Sequence, residues 1–294
     1  MRKILTIDVG GTFIKHALMD EHSNILERGK VPTPKSNRDD FISAVVNIHR
    51  AYSNAEGIAL SMPGIIDAVN GVCITSGALE YNNGLRVIDT LQSIVPVKIT
   101  VENDAKCAAL AEASIGALAD VSDGFVLIFG TAIGGAFIKD HKIHRGSHFS
   151  AGEVSFTITD IDGSPTEENF WGFQCGVPQL LESYAQKINS PVENVSGEKF
   201  FDAVNQNDPV AVNCLEHFTR RIAIQIFNLQ MLFDPQRFAV GGGISAQQSF
   251  IDHINKNIDR LRAECRFNLP SPTVVACKFQ NNANLIGALQ HFLP

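Results

Sequence analysis

Three glycine clusters, each placed after an apolar run, are the segments of this sequence best suited to chemistry. They are DVGGT at residues 8–12, GTAIGG at 130–135 and GGG at 241–243. Glycines at such points permit a tight reversal and let backbone amides approach an anion, because no Cβ stands in the way. A single cluster is more often an ordinary turn, but three together favour phosphate binding. Since no segment fits the P-loop or the GxGxxG fingerprint, hairpins would hold the nucleotide.

Asp104 is the candidate for proton transfer. It stands where the apolar segment PVKITVEN gives way to the alanine-rich segment AKCAALAEASIGA, which predicts a strand followed by a helix. The N-terminus of a helix favours an ionised carboxylate, which could accept a proton from a hydroxyl group. A carboxylate at this position could also simply cap the helix, so the residue types leave both roles open.

The elements that must position these residues alternate between strands and helices, which predicts an α/β fold. The opening of the chain reads as three strands, at residues 2–9, 13–20 and 24–31, followed by a helix at 41–52. Near residue 122 the plan restarts, since GFVLIFGTAIGGAFIKDHKIH repeats the strand, the Gly/Thr turn and the second strand. A longer helix is predicted at 209–233 from its apolar stripe. We therefore expect two related halves.

Composition excludes several classes of protein. The net charge is −7 and no basic block is present, which argues against a nucleic-acid surface. No apolar run reaches the roughly 20 residues of a membrane span, and the N-terminal apolar run is broken at once by Asp8, so a secretory signal is not expected. The six cysteines are widely spaced, which is typical of reduced, buried thiols. We expect a cytoplasmic protein.

Five segments together resemble the ROK family of repressors and sugar kinases. They are DVGGTFIK at 8–15, ENDAKCAALAE at 102–112, FGTAIGGAFI at 129–138, AGE at 151–153 and VGGGIS at 240–245, and they occur in that family's order and spacing. The resemblance implies an actin-like ATPase fold, with two domains of ribonuclease-H-like topology closing on a cleft where ATP and a sugar meet. The expected limits are 1–118 and 119–281, with a closing helix at 282–294 returning to the first domain.

The resemblance also implies roles for individual residues. The implied ATP- and phosphate-binding residues are Asp8, Gly10, Gly11, Thr12, Lys15, Gly130, Thr131, Ala132, Gly134, Gly135, Gly241, Gly242 and Gly243. The implied sugar-binding residues are Gly64, Asn82, Asn83, Asn103, Asp104 and Glu153. Asp104 would be the general base, Asp8 would lie near a magnesium ion directly or through water, and a structural role for Lys15 is equally open. Of the two neighbouring asparagines, Asn83 is favoured.

Departures from the family pattern concern zinc and the acceptor pocket. Where zinc-containing members have a histidine and a cysteine-rich segment, this chain has Phe156 and a lone Cys175, so we predict no structural zinc. Aromatic residues populate this region and could stack on a sugar or pack the loop; they are Phe156, Phe170, Trp171 and Phe173. Ala132 replaces the usual glycine of the second turn, which would cost on the order of 1 kcal/mol only if its φ must be positive.

The function implied is an ATP-dependent sugar kinase acting on a hydroxyl, expected to be the 6-hydroxyl, of a hexose or a β-glucoside disaccharide. The zinc-less pattern resembles β-glucoside kinases, and N-acetylmannosamine kinase and glucokinase are the alternatives within the family. A catalytically silent sugar-binding protein is the alternative from another class. A sugar-sensing repressor is disfavoured because DVGGT begins at residue 8, which leaves no room for a DNA-binding module. A homo-oligomer, either a dimer or a tetramer, is typical of the family.

Overall fold

The computed structural model describes residues 2–293 as an alternation of strands and helices. The strands are β1 (Lys3–Val9), β2 (Phe13–Asp20), β3 (Ile25–Pro32), β4 (Gly57–Met62), β5 (Ile66–Asp67), β6 (Val72–Cys73), β7 (Leu85–Arg86), β8 (Lys98–Asn103), β9 (Gly124–Phe129), β10 (Ile133–Lys139), β11 (Lys142–Ile143), β12 (Arg237–Gly241) and β13 (Val274–Ala276). The helices are α1 (Arg38–Ala51), α2 (Val87–Gln92), α3 (Asp104–Ile115), α4 (Trp171–Gln174), α5 (Val177–Lys187), α6 (Gly197–Asn205), α7 (Pro209–Phe233), α8 (Gln248–Glu264) and α9 (Ala283–Phe292).

The chain divides into two compact units. The first contains the residues up to 115, residues 142–151 and the residues from 282 onward, and the second contains residues 116–141 and 152–281. The limits expected from the sequence differ in two segments, because residues 116–118 group with the second unit and Lys142–Ala151 groups with the first. Each unit has its own hydrophobic core, one centred on β1, β4 and α1 and the other on β9, β12 and α7.

The first unit is built on a mixed sheet in the order β3-β2-β1-β4-β8. The pairs β1/β2 and β2/β3 are antiparallel, and β1, β4 and β8 are parallel. Strands β1 and β4 are almost entirely buried, as expected for parallel strands covered on both faces. Helices α3 and α9 pack closely, because Gly287 of α9 lies directly on the backbone of α3. A Cβ at Gly287 would lie 1.6 Å from the carbonyl oxygen of Cys107.

The second unit repeats this plan. Four strands of its sheet follow the order β10-β9-β12-β13, with β9 and β10 antiparallel and β9, β12 and β13 parallel. The repeat of strand, turn and strand predicted near residue 122 is therefore present. Helix α7 has the bounds predicted from its apolar stripe. It begins after Asp208, whose carboxylate accepts the N–H of Ala211, and it ends at Asp234 in the left-handed conformation.

Several predicted bounds differ from the observed ones, and local hydrogen bonds explain two of the differences. Helix α1 begins three residues before the predicted Phe41, since Asn37 caps it by accepting the N–H of Asp40. Strand β3 begins one residue late, because Asp20 accepts the N–H groups of His22 and Asn24 and so extends the turn before it. Among residues 2–293, no helix is both long and apolar enough to cross a membrane.

Candidate active site

The functional residues of the first unit lie at the carboxyl ends of three adjacent parallel strands. Asp8 on β1 is paired with Ser61 on β4, and Ser61 is paired with Glu102 on β8. The turn at Gly10, the loop at Gly64 and the start of α3 at Asp104 therefore leave the same edge of the sheet. Ligands of open α/β sheets bind at this edge.

The first glycine turn is closed by one internal hydrogen bond and held by two side chains. It closes with a hydrogen bond from Gly10 N to Phe13 O of 3.0 Å. Its carbonyl oxygens are occupied, since the Thr33 hydroxyl donates to Gly10 O and the Lys35 ammonium donates to Gly11 O, each at 2.6 Å. A Cβ at Gly11 would meet nothing within 4 Å, so the fold itself does not require glycine there. The space beside Gly11 suits a ligand that approaches the backbone.

Asp8 is held through one carboxylate oxygen. Oδ1 accepts the Ser61 hydroxyl at 3.1 Å and the Asn284 amide at 2.9 Å, and Oδ2 lies 4.0 Å from the Lys15 ammonium. Burial raises the pKa of Asp8, while Asn284, Lys15 and Ser61 each oppose that rise. Sequence reasoning missed Ser61 and Asn284, since neither belongs to a recognisable motif.

Asp104 is the first residue of α3, but its neighbour Asn103 supplies the helix cap. The side-chain oxygen of Asn103 accepts the N–H of Lys106 at 3.0 Å, and its amide donates to Gly64 O at 2.9 Å and to Asp104 Oδ1 at 3.0 Å. The N–H of Ala105 donates to the same Asp104 oxygen at 2.8 Å. Asn103 therefore caps the helix, Asp104 accepts one N–H group of its first turn, and both donors fix the orientation of the carboxylate.

The two neighbouring asparagines of the loop around residue 82, Asn82 and Asn83, have different surroundings. Asn82 is fully buried, and neither atom of its side-chain amide has a hydrogen-bond partner within the described residues. Asn83 is exposed, and its carbonyl oxygen accepts the Arg38 guanidinium at 3.0 Å. Gly64 adopts a φ of 92°, and a Cβ there would lie 2.4 Å from Thr75 O. The buried amide of Asn82 is the group that lacks a polar partner.

The second glycine turn, in the second unit, joins β9 to β10. It closes from Gly130 N to Ala132 O at 2.9 Å, and Val177 N at the start of α5 donates to Gly130 O at 2.8 Å. Ala132 is absent from the positive-φ positions of the described chain, so alanine introduces no backbone strain. Gly134 and Gly135 pair with Ile128 and Leu127 inside the hairpin.

Among the other glycines of the second and third clusters, some are closely packed and one is open. A Cβ at Gly135 would lie 2.5 Å from Gly152 O, one at Gly241 would lie 2.6 Å from Ile128 Cδ1, and one at Gly242 would lie 2.0 Å from Phe129 O. By contrast, a Cβ at Gly243 would meet nothing within 4 Å. Packing therefore explains three of these glycines, and Gly243 joins Gly11 as a position open to a ligand.

A pocket of about 840 Å³ lies within the second unit beside both glycine clusters. Gly130, Thr131 and Gly243 contribute backbone to its wall, and apolar side chains form much of the rest. These apolar residues are Val177, Leu181, Val192, Phe201 and Ile244. A pocket with a mostly apolar lining beside a glycine turn suits a nucleoside attached to phosphates.

Glu153 belongs to a segment that is packed onto the second hairpin. It directly precedes a 3₁₀ turn at Val154–Phe156, and Gly152 before it has a φ of 88°. The buried Ser155 hydroxyl donates to Ile133 O at 2.7 Å and accepts Ile133 N at 3.1 Å. Ser155 thus ties the AGE segment to the first residue of β10.

The aromatic residues near this segment have different surroundings. Trp171 is 1% exposed and packs edge-on against Phe129 in the core. Phe156 is 55% exposed and Phe173 is 40% exposed, with Phe170 packing edge-on against Phe156. Trp171 packs the core, while Phe156 and Phe173 present ring surface that a sugar could cover.

The donor groups suit magnesium bound mainly through phosphate. Mg²⁺ is usually held by one or two carboxylates together with substrate phosphates, and Asp8 offers such a carboxylate beside the open turn. Within residues 2–293, no group of three or more His, Cys, Asp or Glu side chains could hold a metal ion by itself. Cys175 is buried, and burial raises the pKa of its thiol to about 11.

The topology of both units, with glycine turns at matching strand ends, is that of the actin-like ATPases with ribonuclease-H-like domains. The chain belongs to the ROK family, whose model matches residues 4–293. A β-glucoside kinase from Klebsiella pneumoniae is 31% identical over 291 residues, which are 99% of this chain and 96% of that protein.

Solved structures give the same result. A ROK family protein from Streptococcus pneumoniae in complex with sucrose has a TM-score of 0.89 at 28% identity, covering 99% of this chain and 98% of that one. A ROK family glucokinase from Streptomyces griseus in complex with glucose and AMPPNP has a TM-score of 0.85 at 26% identity, covering 98% of each chain. The family and the fold expected from the sequence are thus confirmed.

Proposed function

We propose that this chain is an ATP-dependent sugar kinase, which transfers the γ-phosphoryl group of ATP to a sugar hydroxyl with Asp104 as the general base. The observation that carries the proposal is the orientation of Asp104. Two donors, Asn103 and Ala105, fix one carboxylate oxygen at the end of β8, at the same edge of the sheet as the turn after β1. Membership of a family that contains sugar kinases supports the same activity.

In this mechanism Asp104 accepts the proton of the attacking hydroxyl. Phosphoryl transfer requires chiefly positioning and neutralisation of charge, so a carboxylate with a fixed orientation is the main demand on the protein. The Asn103 amide and the Ala105 N–H hold Asp104 Oδ1 at 3.0 and 2.8 Å. The side-chain amide nitrogen of Asn103 already donates to Gly64 O and to Asp104 Oδ1. Asn103 therefore acts on the sugar mainly through Asp104.

The nucleotide is assigned to the glycine turns and to the pocket of the second unit. The adenosine is assigned to the apolar pocket beside Gly243, and the phosphates are assigned to the glycine turns, where an added Cβ at Gly11 or Gly243 would meet nothing within 4 Å. Asp8 would hold magnesium, which neutralises phosphate charge when bound. Lys15, 4.0 Å from Asp8, keeps a positive charge at the same place.

For the acceptor, we favour the 6-hydroxyl of a glucosyl unit in a β-glucoside. The β-glucoside kinase from Klebsiella pneumoniae is similar over nearly the whole chain, and the similar Streptococcus pneumoniae protein has a disaccharide, sucrose, in its complex. Glu153 and Asn82 are assigned to sugar hydroxyls, and the exposed faces of Phe156 and Phe173 are available for the second sugar. Glucose alone is the alternative acceptor, supported by the similar Streptomyces griseus glucokinase.

The first prediction concerns Asp104 and is tested by a coupled assay of ADP release with MgATP. The acceptors are glucose, mannose, N-acetylmannosamine, fructose, cellobiose and gentiobiose. We expect turnover to be highest with a β-glucoside, and Asp104→Asn to lower kcat by about 10²–10⁴-fold with little change in the sugar KM, because general-base catalysis contributes in this range.

Asp120→Asn is the matched control. Asp120 is an exposed carboxylate of the second unit that pairs with Arg237, so its replacement should leave kcat unchanged. Phosphate transfer to no sugar, with ATP or sugar still bound, would instead support a silent binding protein. The resemblance to the family implies a homo-oligomer, and light scattering after size exclusion tests it. We also propose that the chain is in the cytoplasm, where ATP is available.

A further inference from the structure

An ion pair with a buried carboxylate and a guanidinium that is 29% exposed lies next to the proposed base along the chain. The side chain of Glu102 has no solvent exposure, and it is the second residue before Asp104. Its Oε1 accepts the backbone N–H of Asn103 at 2.8 Å. Its Oε2 accepts Arg145 Nε at 2.8 Å and Arg145 Nη2 at 2.7 Å. Both oxygens of this buried carboxylate are therefore engaged within the first unit.

Arg145, the partner of Glu102, belongs to a loop that is also bound by Lys106 of α3. Ala151 N donates to Arg145 O at 3.2 Å, which closes the loop on itself. The ammonium of Lys106, a residue with no solvent exposure, donates to Phe149 O at 3.1 Å. Phe149 has a φ of 61°, so its backbone is held in a conformation that phenylalanine rarely adopts.

The two fastening points lie symmetrically around the base along the chain. Glu102 is two residues before Asp104 and Lys106 is two residues after it. Each binds the loop of residues 145–151, which lies in the first unit. The corner between β8 and α3 is therefore held on both sides of Asp104 by charged side chains that reach the same loop.

Stability alone is a weak explanation for this arrangement. Removing two charges from water usually offsets the gain from a buried ion pair, and apolar residues of similar volume often serve stability as well. Arg145 donates through two N–H groups, Nε and Nη2, to the single oxygen Oε2 of Glu102, and this bidentate donation restricts the geometry of the pair. The pair sits where geometry matters most, because Glu102 binds the backbone of Asn103, the residue that orients Asp104.

We propose that Glu102 and Arg145 are positioning residues for phosphoryl transfer, which act through Asn103 on the orientation of Asp104. The inference rests on the proposed kinase activity. Neither side chain contacts substrate in this role. Arg145 binds the carboxylate of Glu102, and Glu102 accepts the backbone N–H of Asn103. The side chain of Asn103 donates to Asp104 and so orients this carboxylate toward the hydroxyl.

The test compares four variants by single-turnover phosphoryl transfer, by steady-state KM values and by thermal unfolding. The variants are Arg145→Met, Arg145→Lys, Glu102→Gln and the double variant Glu102→Gln/Arg145→Met. We expect Arg145→Met to lower the single-turnover rate by about 10²-fold, the size of effect that a misplacement of about 1 Å can produce. The KM values for ATP and sugar should change little, and Arg145→Lys should recover part of the rate.

The double variant separates positioning from stability. It removes the charge that Arg145→Met leaves unpaired, and the glutamine that replaces Glu102 can still accept the Asn103 N–H, so thermal stability should recover. The rate should stay low, because the bidentate contact is still missing. A double variant as fast as the wild-type chain would overturn the proposal, and so would an Arg145→Met protein that is folded and fully active.

Arg237→Met is the matched control for the loss of any arginine–carboxylate pair. Arg237 binds both oxygens of Asp120 in the second unit, so its loss should lower stability and leave the single-turnover rate unchanged. If the wild-type chain phosphorylated no sugar, the proposed function would fail and this inference with it. An active wild-type chain with unaffected variants would remove this inference alone.

Discussion

At the scale of residues, the two carboxylates assigned to chemistry are anchored in the same way. Asp8 accepts two hydrogen bonds at Oδ1 from Ser61 and Asn284, and Asp104 accepts two at Oδ1 from Asn103 and Ala105. Hydrogen bonds to Oδ1 restrict the rotation of each carboxylate, and these donors do not bind its Oδ2. The anchoring favours a carboxylate that meets its ligand in one orientation.

Sequence patterns predicted the anchored residues better than their anchors. Asp8 and Asp104 stand in recognisable motifs, whereas Asn284 lies far along the chain and reaches Asp8 only through the fold. Local pairs such as Asn103 with Asp104 are within reach of sequence reasoning. The choice between Asn82 and Asn83 shows the limit, since the two asparagines differ in burial and no local sequence pattern predicts that difference.

Asn82 gives the prediction at this scale. A buried amide without partners destabilises the folded chain by about 1–3 kcal/mol, so Asn82→Leu should raise the free energy of unfolding by a similar amount. If the amide binds a sugar hydroxyl, the same variant should raise the sugar KM. Denaturant unfolding and steady-state kinetics measure the two effects.

Asn83→Ala serves as the neighbouring control for Asn82→Leu. The Asn83 side chain is exposed, so its loss should change the free energy of unfolding by less than about 0.5 kcal/mol. A sugar KM that rises in Asn83→Ala and not in Asn82→Leu would return the sugar contact to Asn83.

At the scale of elements, the two hairpins are the features that sequence patterns predicted most directly. Each consists of two apolar runs around a glycine turn, and this pattern is local enough to identify. Helix α8, which follows the third glycine cluster, was not predicted. The three-residue error at the start of α1 arose because Asn37 and Asp40 act as a pair, which a search for apolar spacing does not see.

The second hairpin gives a prediction for stability against pH. The Lys139 ammonium and then the Asp140 N–H hold the pKa of Asp123 below its usual value of 3.8. A carboxylate with a lowered pKa in the folded chain contributes stability above its unfolded pKa and loses it as the pH falls. Asp123→Asn should therefore reduce the free energy of unfolding modestly at neutral pH, and the difference from wild type should shrink from about pH 5 to about pH 3.

Chemical unfolding at several pH values measures this difference. Asp259→Asn, which removes an exposed carboxylate from α8, is the control and should give a small, nearly constant difference. A difference for Asp123→Asn that stays constant or grows toward acid would show that the Asp123–Lys139 pair does not stabilise the hairpin.

At the scale of the whole molecule, two units of one topology divide the work. In the proposed kinase, the first unit supplies Asp8 and Asp104, and the second supplies the pocket beside Gly130 and Gly243. The repeat of the hairpin near residue 122 predicted this duplication. The assignment of residues 142–151 was beyond the sequence, because it depends on Glu102 and Lys106, which lie far back along the chain.

Ligand binding gives the prediction for the whole molecule. AMPPNP with magnesium at a hundredfold excess over Kd should stabilise the folded chain by about 2.7 kcal/mol. Removing magnesium with EDTA should reduce the stabilisation, and Asp104→Asn should retain it, since Asp104 is assigned to chemistry and not to nucleotide binding. Thermal unfolding measures all three conditions, and a chain that AMPPNP does not stabilise would contradict the assignment of the pocket.

The close packing of α9 on α3 has a consequence for how the chain is made. Gly287 rests on the carbonyl of Cys107, and Asn284, three residues before it, completes the setting of Asp8. A ribosome working at about 5–20 residues per second needs roughly 10–40 seconds to travel from the one helix to the other. During that interval the newly made first unit has its strands but not the helix that closes it. Asp8 is therefore synthesised long before Asn284, and it lacks this hydrogen bond until α9 has been made.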